Sequence, residues 1–235
     1  MWQELRRELH PQGVEIVTVA LDTGGADAAR PWIEAAQPEH PSLIDEAHVT
    51  DELFGFVNVP NAVWIDEDGM IVRPAHGAHV KKSPLREMEV PEGLGRIGEM
   101  LTEVKKIRTD PDLYLEAVRD WAANGGASRF ALAPDQVVER SRPRPPEHAE
   151  AAAAFELGQH LWRQGDRDAA VPWFRRAHAL QPDNWTYKRQ AWTLATTVPG
   201  EPSDLIQGPT DLYEGNWLDD VRGIGAENYY EPFEV

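Results

Sequence analysis

Apolar positions change their period several times along this chain, and each change marks an element. Leu5 and Leu9 repeat at i, i+4, so residues 1–9 read as a short helix stopped by His10-Pro11-Gln12-Gly13. The run from Val14 to Leu21 is β-branched and almost continuously apolar, the mark of a strand buried on both faces of a parallel sheet. Residues 26–36 follow as a helix, 42–44 as a short strand and 49–54 as one or two helical turns. Ala62-Val63-Trp64-Ile65-Asp66 and Met70-Ile71-Val72 are two strands around Asp68-Gly69, a strong local signal for a hairpin. Trp32 and Trp64 are expected to pack in a core or cleft.

Beyond residue 90 the period is helical. Leu94, Ile97, Leu101 and Val104 lie on one face, and a second helix over 112–123 stops at Gly125-Gly126. Arg140 to Pro146 reads RSRPRPP, an extended linker. Residues 151–194 are helical again, and 199–235 are rich in Gly, Pro, Asp and aromatics without clear periodicity. The expected division is 1–80, a helical connector with its linker over 81–146, a helical hairpin with a capping helix over 147–198, and an acidic, aromatic tail over 199–235.

Composition narrows what such a chain can do. Hydrophobic residues make up 41% and charged residues 27% of 235, ordinary for a soluble globular protein. No apolar run is long enough for a membrane segment, and residues 1–9 lack the features of an export signal, so the expected location is cytoplasmic. The net charge of −17 is concentrated in residues 1–90 and 201–235. That distribution argues against nucleic acid or an anionic membrane as partner, since both require clustered Lys and Arg.

Cys is absent, which removes disulfides, thiolate metal ligands and thiol redox exchange by these residues. His40, His48, His76 and His79 lack a spacing that fixes four ligands, so no metal is expected. Asp66-Glu67-Asp68-Gly69 lacks the rest of a calcium loop and reads as a turn. Gly93-Leu94-Gly95-Arg96-Ile97-Gly98 follows no buried strand and reads as a helix start, not a phosphate loop. No nucleophile elbow is present, and neither a cofactor nor a catalytic residue is expected.

Two stretches carry family resemblances. GVEIVTVALD, residues 13–22, resembles the second core strand of the TlpA/ResA and AhpC/TSA redoxins, and GFVNVPNAVWIDEDGMIV, residues 55–72, resembles their Val-Pro turn and hairpin. The resemblance covers about residues 1–78. It implies an α/β thioredoxin-like fold, incomplete at its N-terminal end, to which the helical periodicity farther along adds an all-α C-terminal module. It implies a thiol-disulfide oxidoreductase or peroxiredoxin type of activity. It also implies a cis Pro60 and a substrate-facing turn, Asn58, Val59, Pro60 and Asn61, whose backbone pairs with the substrate chain.

The family's preceding strand and Cys-x-x-Cys helix start have no counterpart in this sequence. In the family that strand lies between those matching Val14–Leu21 and Ala62–Asp66. Its loss leaves unpaired buried backbone groups, each costing on the order of 1–3 kcal/mol. Three arrangements meet this: residues upstream of Met1 supply the strand, the two strands pair directly, or another chain donates one, which makes a homo-oligomer through unpaired strands an expected state.

Residues 151–184 resemble one tetratricopeptide repeat. Leu157, Gly158, Leu161, Ala170, Phe174, Ala177 and Pro182 occupy its packing positions, with Gly158 and Ala170 allowing a close helix crossing and Pro182 ending the second helix. One hairpin cannot bury its own apolar face. It therefore serves either as scaffold or as a surface for a protein or peptide partner, which keeps open the alternative of a non-catalytic interaction module.

Overall fold

The computed structural model describes residues 2–141, 144–195 and 208–234. Its N-terminal half runs α1 (Trp2–Leu9), β1 (Thr18–Leu21), α2 (Gly25–Ala36), β2 (Ser42–Asp45), α3 (Val49–Phe54), β3 (Asn61–Ile65) and β4 (Ile71–Gly77). β1 pairs parallel with β2, with Val19 opposite Leu43, and β3 pairs antiparallel with β4 across the Asp68-Gly69 turn. These are two separate two-stranded sheets. Direct pairing of the strands on either side of the expected gap is not what the chain adopts.

Burial overturns one expectation about β1. From Val14 to Ala20, even positions are half-buried and odd positions exposed, with Val17 at 53% and Val19 at 38%. Val14 and Ile16, just before β1, pack against the core that holds Leu5 and Leu9, but among the described residues no layer covers the opposite face, so the run is half-buried on one face and exposed on the other. Trp32 is likewise 79% exposed, since α2 turns that face to solvent, whereas Trp64 is buried. β4 runs five residues past the expected Val72, because Arg73 and His76 are buried polar residues that break the apolar pattern without breaking the ladder.

The helices that follow are α4 (Arg96–Lys106), α5 (Pro111–Asn124), α6 (Pro134–Arg140), α7 (Pro146–Arg163), α8 (Arg167–Leu180), α9 (Trp185–Ala195) and α10 (Trp217–Ile224). Tyr114, Ala117 and Val118 of α5 share a core with Leu5, Leu9, Trp64, Phe130 and Phe233, so the first core draws on both ends of the chain. Leu132 extends the hairpin by donating its N–H to Val72 O at 2.9 Å. Part of the RSRPRPP stretch, residues 142–143, lies outside the described residues, as does 196–207.

α7 and α8 form the expected hairpin. Gly158 lies where a Cβ would come within 3.2 Å of the Phe174 ring, so a larger residue at this crossing would require that ring to shift. Ala170, Phe174 and Ala177 are fully buried and Leu161 half-buried. Leu157 is the exception among the apolar packing positions: it faces solvent, one position away from the seam that Gly158 occupies. Pro182 follows the end of α8 and is exposed. Residues 208–234 are not an irregular tail: Asn216 caps α10 through Asp219 N at 3.0 Å, and Trp217, Leu218 and Val221 are buried with Met100, Trp185 and Trp192.

Candidate functional site

The site grows from the free edge of β1. Thr18 N–H donates to Pro41 O at 3.0 Å, so the backbone groups of Thr18 and Ala20 face β2. Alternation then turns those of Val19 and Leu21 to the opposite edge. At the end of that edge stands the carboxamide of Gln190 on α9. Its Nε2 donates to Leu21 O at 3.2 Å, and its Oε1 accepts from Thr23 N–H at 3.0 Å and from the Thr23 hydroxyl at 2.7 Å. A parallel neighbouring strand would present this same donor and acceptor to Leu21 and Thr23. One side-chain amide therefore replaces one rung of a missing ladder, while among the described residues no hydrogen bond reaches the Val19 edge.

The N-terminal end of α9 reaches the residues that precede β3. The N–H groups of Trp185 and Thr186, unpaired within the helix because they lie in its first turn, both donate to Val57 O, at 2.7 and 3.2 Å. Asn184 accepts from Tyr187 N at 3.0 Å and so caps the helix start. α9 is thus a strap from the residues before β3 to the end of β1. The hairpin supports it from beneath: Tyr187 stacks on Phe155 at 4.1 Å, and the buried His48 ring, at the start of α3 and 3.1 Å from the Asp51 carboxylate, packs edge-on to both rings. Burial holds the Asp51 carboxyl above its ordinary range, with the His48 hydrogen bond acting in the opposite direction.

Between those anchors lies the expected turn. The Val59–Pro60 bond is cis. Asn58 is buried; its Oδ1 accepts from Val59 N–H at 2.9 Å and its Nδ2 donates to Tyr229 O at 3.0 Å. Tyr230 donates its hydroxyl to Val59 O at 3.1 Å. Both backbone polar groups of Val59 are therefore engaged within the chain. Pro60 O accepts from Ala78 N–H at 3.2 Å, and Asn61 begins β3. The side chains of Val59 and Pro60 stay exposed.

Residues 229–234 fill the space beside the turn. Phe233 enters the first core against Tyr114, Phe130 and His76, under the Arg73 guanidinium at 4.1 Å from its ring centre. Arg73 donates to Phe130 O at 2.8 Å and to Glu234 O. Burial first, and Arg140 second, pull its pKa down to about 10, so it remains a cation at neutral pH.

Neither family models, nor curated proteins, nor solved structures provide a match to this chain.

The histidines do not converge: His76 is buried beneath Phe233, with Nδ1 on Pro74 O at 2.8 Å, and His79 packs on Tyr230. Among the described residues no group of three or more His, Cys, Asp or Glu is placed to hold a metal ion, and no helix is long and apolar enough to cross a membrane. The turn and the hairpin are brought together, through α9, by residues that sequence reasoning missed. Asn184 was legible as a cap before Trp185; Gln190, Tyr229 and Tyr230 carried no local signal.

Proposed function

We propose that this chain is a non-catalytic protein-binding module on a thioredoxin-like scaffold, in which β1 offers its free edge to an extended segment of a partner protein. The observation that carries the reading is the orientation of Val19: its N–H and C=O point away from β2 beside the exposed side chains of Val17 and Val19, and Gln190 caps only the end of that edge. An open apolar edge takes another strand readily, and main-chain pairing provides affinity that is only weakly selective for sequence. The α7–α8 hairpin and α9 then act as the frame that keeps the edge open.

A synthetic octapeptide, Lys-Val-Thr-Val-Thr-Val-Thr-Lys, is the probe. Hydrogen exchange of the full chain with this peptide is expected to show protection at Val19 and Leu21. Val19→Lys, which places a charge at the edge without touching the bonds to β2, is expected to abolish it. Absence of protection at millimolar peptide overturns the reading. Protection that appears without peptide and rises with protein concentration assigns the edge to a second copy instead.

A second reading keeps the redoxin resemblance as an activity of thiol-disulfide oxidoreductase or peroxiredoxin type. It is favoured by the residues around Val59-Pro60 and Trp64-Ile65-Asp66, and it requires thiolates from outside these 235 residues.

A further inference from the structure

The segment 229–234 contacts the rest of the chain as a bound peptide contacts a receptor. Its first carbonyl, Tyr229 O, is held by the Asn58 amide, and its last, Glu234 O, by Arg73. Phe233 is the anchor, seated among Tyr114, Phe130 and His76, and the Tyr230 hydroxyl reaches Val59 O. Tyr229 and Phe233 are buried four residues apart, while Glu231, Pro232 and Glu234 face outward.

Two features suit this groove to an acidic segment. The buried Arg73 lines it, and Arg140 stands 3.6 Å from the Glu234 carboxylate at its rim. Residues 231–234 form neither helix nor strand, so side-chain contacts and isolated hydrogen bonds hold them in place of a ladder. Segments held in this way open well before the global unfolding of a domain.

We propose that residues 229–234 are a latch in a peptide-binding groove made by Asn58, Val59, Arg73 and Phe130, and that the groove recognises an acidic peptide with Tyr and Phe four residues apart, which enters by displacing this segment. The latch closes the Asn58–Asn61 turn from within the chain, and a partner bearing such a segment opens it. This surface is distinct from the β1 edge, so either proposal stands or falls without the other.

The test uses a fluorescein-labelled peptide of residues 228–234, Asn-Tyr-Tyr-Glu-Pro-Phe-Glu, titrated into the full chain. The intact chain is expected to bind it weakly, because its own segment is tethered at high effective concentration. Phe233→Ala empties the anchor position and is expected to bind the peptide at least tenfold more tightly. Adding Asn58→Ala to that variant, or Ala for Phe in the peptide, is expected to reverse the gain. A cooperatively folded Phe233→Ala chain that binds no better than the intact chain overturns the proposal.

Where Phe233→Ala does not melt cooperatively, Tyr230→Phe decides, since it removes one hydroxyl and leaves the ring. Amides of residues 229–231, 233 and 234 are then expected to exchange at least tenfold faster, with α5 unchanged. Equal exchange in the two chains overturns the latch.

Discussion

Gln190 holds Thr23 twice, accepting from its backbone N–H and from its hydroxyl, at 3.0 and 2.7 Å, across 167 residues of sequence. Both residues are buried. The carboxamide donates through its nitrogen to Leu21 O and accepts through its oxygen from Thr23 at once.

Gln190→Ala is therefore expected to destabilise the chain by about 2 kcal/mol, because buried donors on Thr23 lose their acceptor. Gln190→Glu keeps the acceptor but sets a carboxylate oxygen against Leu21 O, and is expected to destabilise at neutral pH as well. Urea unfolding of the three proteins at pH 7 checks both.

Gly158 makes the opposite case to the usual benefit of alanine in a helix. Gly→Ala within a helix stabilises by up to about 1 kcal/mol from propensity. At this position the added Cβ meets the Phe174 ring at 3.2 Å, and that ring is fixed between Phe155 and Trp162. Gly158→Ala is expected to lower stability by about 1–2 kcal/mol, read from the shift in the denaturant midpoint. A gain in stability would mean that the α7–α8 crossing has room to relax.

Two buried histidines set an acid limit. Burial, as the leading cause, pulls His76 and His178 down to about 4 from an ordinary 6.5. Above pH 6.5 both are neutral folded or unfolded and cost nothing. As pH falls from 6.5 toward 4 the unfolded chain takes protons that the folded chain refuses, so stability declines, by up to about 3 kcal/mol per residue. Asp51, whose folded carboxyl is held high, acts with the opposite sign, gaining stability on acidification. The stability of the chain is expected to fall measurably between pH 6.5 and 5, and His76→Leu is expected to flatten that slope.

The absence of Cys leads to a direct enzymatic expectation. Attack on a disulfide needs a thiolate. The purified 235-residue chain is expected to show no insulin reduction and no peroxide consumption above a heat-inactivated control.

Much of the local structure was legible before any coordinates. The β-branched run at Val14–Leu21, the Asp68-Gly69 turn and the small residues Gly158 and Ala170 each encode their element through sterics that act over a few residues; the turn and the helical hairpin form where those patterns lie, and the strand forms over the second half of its run, Thr18–Leu21, with residues 14–17 outside it. What local pattern does not carry is which face another layer will cover. Val17 and Val19 have the same apolar character as Val14 and Ile16, yet only the latter meet the core. Leu157 and Trp32 are exposed for the same reason.

The site itself was decided by tertiary structure. Asn58 and Tyr229 stand 171 residues apart in sequence, as do Val59 and Tyr230, and Leu21 and Gln190 169 apart. In each pair a side-chain donor, the Asn58 amide, the Tyr230 hydroxyl or the Gln190 amide, meets a backbone carbonyl from the far end of the chain. Hydrogen bonds of this kind depend on where the helices finally pack, and no periodicity records that. The sequence by itself determined most of the elements of the first 195 residues and the absence of a thiol, but not the length of β4, α6 or α10; packing decided that α9 and residues 229–234 would meet beside the turn, because only the assembled cores bring those groups within bonding distance.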